Sequence, residues 1–137
     1  MRKYLIISLL FLSVGFCQRQ KKNEIITERY NNGLKKLVLV FQGTGINETL
    51  VGKYGFYDDG LKEFIELYNN NKKHGQSLYW YNNGNQKTDL NYKDGVLNGS
   101  QKEWYENGQK KEEVSYINGV LVDYKRWDTN GKSILKE

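Results

Sequence analysis

Proline is missing from this chain, and cysteine and histidine occur once each among 137 residues. A lone cysteine excludes an intramolecular disulfide. A single histidine, His74, excludes zinc-type ligation by the usual histidine and cysteine sets. It also leaves a serine or cysteine nucleophile with no partner base except itself. Apolar content is low too: mean hydropathy is −0.78, too polar for a thick core. The glycines at Gly43-Thr44-Gly45 form no phosphate cradle, because neither a G-x-G-x-x-G run nor a following Lys-Ser is present. No sign of charge dominates. Of a formal +5, two positive charges, Arg2 and Lys3, lie at the extreme N-terminus, and further on lysines and glutamates are interspersed. That is a solvated surface rather than a nucleic-acid stripe.

Aromatic residues, by contrast, are plentiful. Eleven tyrosines, five phenylalanines and three tryptophans make up 14% of the chain, which argues against disorder. A thin β structure that buries flat, amphipathic rings reconciles this with the low hydropathy, since a tyrosine ring packs while its hydroxyl stays wet. The N-terminus reads differently. Arg2 and Lys3 precede an almost unbroken apolar run over residues 4–16. The run is too short to span a membrane, which takes ~20 apolar residues, and has the length of a signal-peptide core. Residues 1–17 are therefore expected to be an export signal and residues 18–24 a polar linker. Cys17, directly after the run, resembles a bacterial lipoprotein attachment site, although Phe16 stands where a small residue is expected. Simple cleavage of the signal is the alternative.

Residues 25–137 are organised by a repeat. Trp104-Tyr105-Glu106-Asn107-Gly108 has relatives 24 residues earlier at Trp80-Tyr81-Asn82-Asn83-Gly84 and 48 earlier at Phe56-Tyr57-Asp58-Asp59-Gly60. Tyr30-Asn31-Asn32-Gly33 precedes them and Trp127-Asp128-Thr129-Asn130-Gly131 closes a series of about five. A strand that ends on rings and turns on Asn-Gly is a strong hairpin signal, with a two-residue type I′ loop expected. Residues 61–68, 85–92 and 109–116 superpose at the same shift, each ending in tyrosine: Tyr68, Tyr92, Tyr116. Alternation places Phe64, Glu66 and Tyr68, with their equivalents Thr88, Leu90, Tyr92 and Glu112, Val114, Tyr116, on one face. A second turn follows each, at residues 69–71, Asp94-Gly95 and Asn118-Gly119. His74 is expected in a turn ahead of Gly75. Residues 42–52 break the period, as a longer loop or a bulged edge.

The recurrence of both aromatics and both turns at constant spacing resembles the MORN-repeat family in its bacterial variant form, over residues 30–131. That resemblance implies an all-β, elongated single-layer antiparallel sheet of consecutive β-hairpins. It also implies kinship with repeat chains classed as antitoxin or immunity proteins of toxin–antitoxin pairs, and hence a toxin as partner. The expected function is non-enzymatic protein binding in the cell envelope, with no cofactor, no metal and no catalytic residue. Binding of membrane lipid or surface glycan is the alternative. The candidate binding stripe comprises Phe56, Tyr57, Trp80, Tyr81, Trp104, Tyr105 and Trp127. Tyr68, Tyr92 and Tyr116 form a candidate structural ladder, with Gly33, Gly60, Gly84, Gly95, Gly108, Gly119 and Gly131 as turn glycines.

Overall fold

The Asn-Gly or Asp-Gly pairs after the aromatic strand ends, together with Asp94-Gly95 and Asn118-Gly119, reverse the chain between two antiparallel strands, so that sequence neighbours become sheet neighbours, whereas Asn98-Gly99 makes a bulge. The computed structural model describes residues 22–134. The expected export signal and Cys17 lie outside the described residues. The strands are β1 (Lys22–Arg29), β2 (Lys35–Gln42), β3 (Thr49–Phe56), β4 (Lys62–Asn69), β5 (Lys72–Trp80) and β6 (Gln86–Lys93). They continue as β7 (Val96–Leu97), β8 (Gly99–Trp104), β9 (Lys110–Ile117), β10 (Val120–Trp127) and β11 (Ser133–Ile134). All pair antiparallel in chain order, with the two-residue β7 extending the edge of β8 along β6. The result is one open sheet of consecutive hairpins. β1 begins at Lys22, inside the stretch expected to be linker. Among the described residues no helix is long and apolar enough to cross a membrane.

The two kinds of turn differ, and here the structure corrects the sequence reading. After the aromatic strand ends, the amide of Tyr81 donates to Asn85 O and that of Gly84 to Tyr81 O, and the same pair of bonds recurs at Tyr30, Tyr57, Tyr105 and Asp128. Only the glycine has positive φ, so these are three-residue loops in which a type I turn ends on a left-handed glycine. The reason is local. Asn32, Asp59, Asn83 and Asn107 each accept a bond from the amide two residues on, which holds them on the ordinary side of φ. The expected type I′ geometry appears instead at the second turns. There Asn70 and Asn71, Asp94 and Gly95, and Asn118 and Gly119 all have positive φ.

His74 is not in a turn. It lies within β5 at a bulge, where Gly75 adopts φ 83° and the pairing with β4 slips between Glu66 and Tyr68. The irregular segment is both things the sequence allowed: a 3₁₀ turn at Gly45–Asn47, and a register shift between Val40 and Phe41.

Among the described residues no second layer covers the sheet, and the core is correspondingly thin. Among the described residues, Val38, Val40 and Val114 are the buried hydrophobic side chains, while Glu66, Ser77 and Gln101 are buried polar ones. Glycine lets rings close the gaps. Phe64 lies across Gly55, its cross-strand partner, so closely that a β-carbon there would collide with the ring.

Candidate functional site

The tyrosines of the candidate stripe, and Tyr30 before them, are tied into the fold by their hydroxyls. Tyr30 donates to Phe56 O at 2.8 Å, Tyr57 to Trp80 O at 2.7 Å, Tyr81 to Trp104 O at 2.9 Å and Tyr105 to Trp127 O at 3.0 Å. Each repeat is thus latched to the next through the same tyrosine. A second latch runs between the turns, where Asn32, Asn83 and Asn107 donate to the carbonyls of Asp58, Glu106 and Thr129. Asp59 has no amide to donate, and the series skips it. Lysine ammonium groups lie over several rings: Lys87 at 5.5 Å from the Tyr81 centroid, Lys111 at 5.9 Å from Tyr105 and Lys110 at 5.2 Å from Trp127. In the second repeat the equivalent of Lys87 is Glu63. Burial pushes the Tyr57 phenol above its ordinary value, and the Glu63 carboxylate adds to the shift. Phe56, Trp80, Trp104 and Trp127 remain half-exposed.

The three ladder tyrosines share a face but not a role. Their cross-strand partners are Lys73 for Tyr68, Leu97 for Tyr92 and Leu121 for Tyr116. The central column of the same face is Glu66, Leu90 and Val114, at 24-residue spacing. Two repeats therefore fill these places with aliphatic residues, and the second repeat fills them with an ion pair. Lys73 Nζ lies 2.7 Å from Glu66 Oε1. Tyr68 donates to the other carboxylate oxygen at 2.8 Å, and Tyr79, which packs against Phe64 with ring centroids 6.0 Å apart, donates to Oε1. The ammonium also lies 5.3 Å from the centroid of Tyr92.

Burial disfavours the Glu66 carboxylate, but the bonds from Lys73, Tyr79 and Tyr68 outweigh it and leave its pKa below the ordinary 4.5. Burial pushes both phenols up to about 12, and donation to the carboxylate adds to this. Burial opposes the charge on Lys73, yet the bonds to Glu66 and Tyr79 hold its ammonium charged beyond its ordinary range. At neutral pH the cluster is a carboxylate, an ammonium and two neutral donors. Ser77, the cross-strand partner of Glu66, is fully buried and its hydroxyl has no hydrogen-bond partner among the described residues.

One repeat further on, the same face opens into a groove of about 170 Å³. Leu90, Leu97, Val114 and Tyr116 line its apolar part, and Thr88, Glu103 and Glu112 stand at the opposite end, with Lys102, on the alternate position of β8, also in its lining. Its floor is held by Gln101, the equivalent of Ser77. The Gln101 side chain accepts from the amide of Asn91 at 2.7 Å and donates to Asn91 O at 3.1 Å, replacing strand pairing where the bulge at Gly99 interrupts it. Among the described residues no group of three or more His, Cys, Asp or Glu side chains could hold a metal ion.

Compared with known proteins, the chain matches no family model and no curated sequence.

The sequence reading placed Glu66 on this face but missed what it does, and it missed Lys73, Leu97, Gln101 and the groove. The signal was available. Superposed at 24 residues, Glu66 and Lys73 are the two departures from columns otherwise filled by Leu90, Val114, Leu97 and Leu121.

Proposed function

We propose that this chain is a non-enzymatic binding module whose partner is a protein. One observation carries the reading: an open single-layer sheet presents an apolar groove, bounded by charge, on a face that nothing else in the described residues covers. The inter-repeat latches make that face rigid, and half-exposed tryptophans and tyrosines nearby are the residue types that dominate interface energetics. The N-terminal apolar run adds that the module acts in the cell envelope, exported and lipid-anchored at Cys17 or simply released. The likeness to bacterial MORN-type variants adds that the partner is a toxin, with this chain as its antitoxin or immunity protein.

The alternative, attachment to anionic lipid or surface glycan, is the weaker reading. Of the lysines that would serve it, Lys72, Lys73, Lys110 and Lys111, three are already paired: Lys73 with Glu66, Lys110 with Glu113 and Lys111 with Glu103. Capture from envelope extracts on the folded wild-type chain, beside a Trp80→Ala/Trp104→Ala variant, tests the proposal. A protein retained by the first and lost from the second is expected. Salt-sensitive flotation with anionic vesicles and no captured protein would overturn it. The toxin assignment further requires that co-expression relieve the toxicity of the captured protein.

A further inference from the structure

The groove differs from its neighbour in a way that specifies what should fill it. In the second repeat the corresponding space is occupied from within by the Glu66–Lys73 pair. In the third, Leu90 and Leu97 leave it open. Its polar end is formed by Glu103 and Glu112, which are directly opposed across β8 and β9 on one face. Like charges so placed repel, since opposed β-carbons are only ~5 Å apart. Glu103 is relieved by Lys111 at 2.8 Å. Glu112 has no hydrogen bond or ion pair among the described residues, although Arg126 is its cross-strand neighbour on the other side. An unpaired carboxylate, held beside a second one at the mouth of an apolar groove, is the complement of a cation.

The other end is aliphatic and continues out of the groove. Tyr116 pairs across the hairpin with Leu121 on the same face, and Leu121 is 53% exposed. Glu112 and Tyr116 lie four residues apart on β9, which is ~13 Å along an extended strand. The groove volume of about 170 Å³ suits one aliphatic side chain together with the methylene stem of a basic one.

We infer that the groove receives an exposed segment of the protein partner in which a lysine or arginine sits ~13 Å from an aliphatic side chain. The basic group meets Glu112 and Glu103, and the aliphatic group covers Leu97, Tyr116 and Leu121. This rests on the protein-binding reading proposed above and names the chemistry that the groove selects.

The probe is a random peptide library displayed on phage and selected on the full chain. Enriched peptides are expected to carry Lys or Arg at a fixed spacing from Leu, Ile or Val, and to shift the backbone amide resonances of Leu90, Leu97, Glu112 and Tyr116. The near-isosteric Glu112→Gln should weaken them about five-fold, the value of one partly exposed ion pair. Glu112→Lys should abolish binding, with circular dichroism verifying that both variants are folded. Failure to enrich any peptide, enrichment of acidic or wholly apolar peptides, or equal affinity for Glu112→Gln overturns the inference. A captured protein partner that binds Glu112→Gln and Leu97→Asp as tightly as wild type also overturns it, while leaving the binding-module reading standing. If neither peptide nor protein binds the folded chain, both fail.

Discussion

If the Glu66–Lys73 pair stands where other repeats place aliphatic residues, the two forms should be interchangeable as a pair but not singly. Consider Glu66→Leu alone. It removes the acceptor of Lys73, Tyr68 and Tyr79 together. Breaking one side of a fully buried pair costs ~3–5 kcal/mol. Here the Glu66 side chain is 10% exposed but that of Lys73 is 30% exposed, so the stranded ammonium reaches water in part. That reduces the expected loss to ~2–3 kcal/mol. Lys73→Leu leaves the carboxylate with its two phenol donors and should cost ~1–2 kcal/mol. The double replacement recreates the Leu90 and Leu97 arrangement of the third repeat. It forfeits the ion pair, but it no longer desolvates two charges, an exchange that is often neutral or favourable. The double variant should therefore lie within ~1 kcal/mol of wild type, giving a coupling of ~2–5 kcal/mol. Urea unfolding followed by tryptophan fluorescence at neutral pH measures all four species, with the denaturant dependence compared between them because repeat arrays can unfold in parts. Strictly additive losses would refute the reasoning, as would a Glu66→Leu variant as stable as wild type.

Four further outcomes follow, two from this cluster and two from the inter-repeat latches. The Glu66 carboxyl has a folded pKa below 4.5, so its contribution is present above 4.5 and lost as the pH falls through the lower folded value. Wild type should consequently lose more stability on acidification than the Glu66→Leu/Lys73→Leu double variant. At the alkaline end, Tyr68 and Tyr79 are held near 12 against an ordinary 10.0, so they favour the fold below 10.0 and lose that contribution as the pH rises toward 12. In near-ultraviolet absorbance titration, both phenols should ionise later than in the Glu66→Leu variant. Removing one latch by Tyr81→Phe leaves Trp104 O without its 2.9 Å donor and should cost ~1 kcal/mol by urea unfolding. Conversely, Asp59→Asn supplies the amide that Asn32, Asn83 and Asn107 already use, and should add ~0.5–1 kcal/mol if the missing turn latch forms.

The sequence by itself determined the architecture, because hairpin chemistry is local. Rings before an Asn-Gly pair, alternation over eight residues and a 24-residue period fix strands, turns and faces without long-range information. It also held Glu66 and Lys73 in view as departures from two aliphatic columns. What it did not contain was pairing across repeats. The tyrosine hydroxyls reach carbonyls 22–26 residues away, and Gln101 replaces strand pairing at a bulge. Such contacts depend on how each hairpin is offset against the next, which is set by bulges at Gly75 and Gly99 and not by periodicity. The turns show the same division in miniature. Asn-Gly specified a reversal at every site but Asn98-Gly99, where it became a bulge. At four of the five three-residue loops a side-chain oxygen of the pair accepts from the amide two residues on, a bond absent from the type I′ turns among the described residues. Tertiary structure likewise decided that Glu66 would be ringed by three donors, while Glu112, on the same face two strand pairs away, has no ion pair among the described residues. Alternation sorts residues between faces, but only the packed register decides which charges on a face have partners.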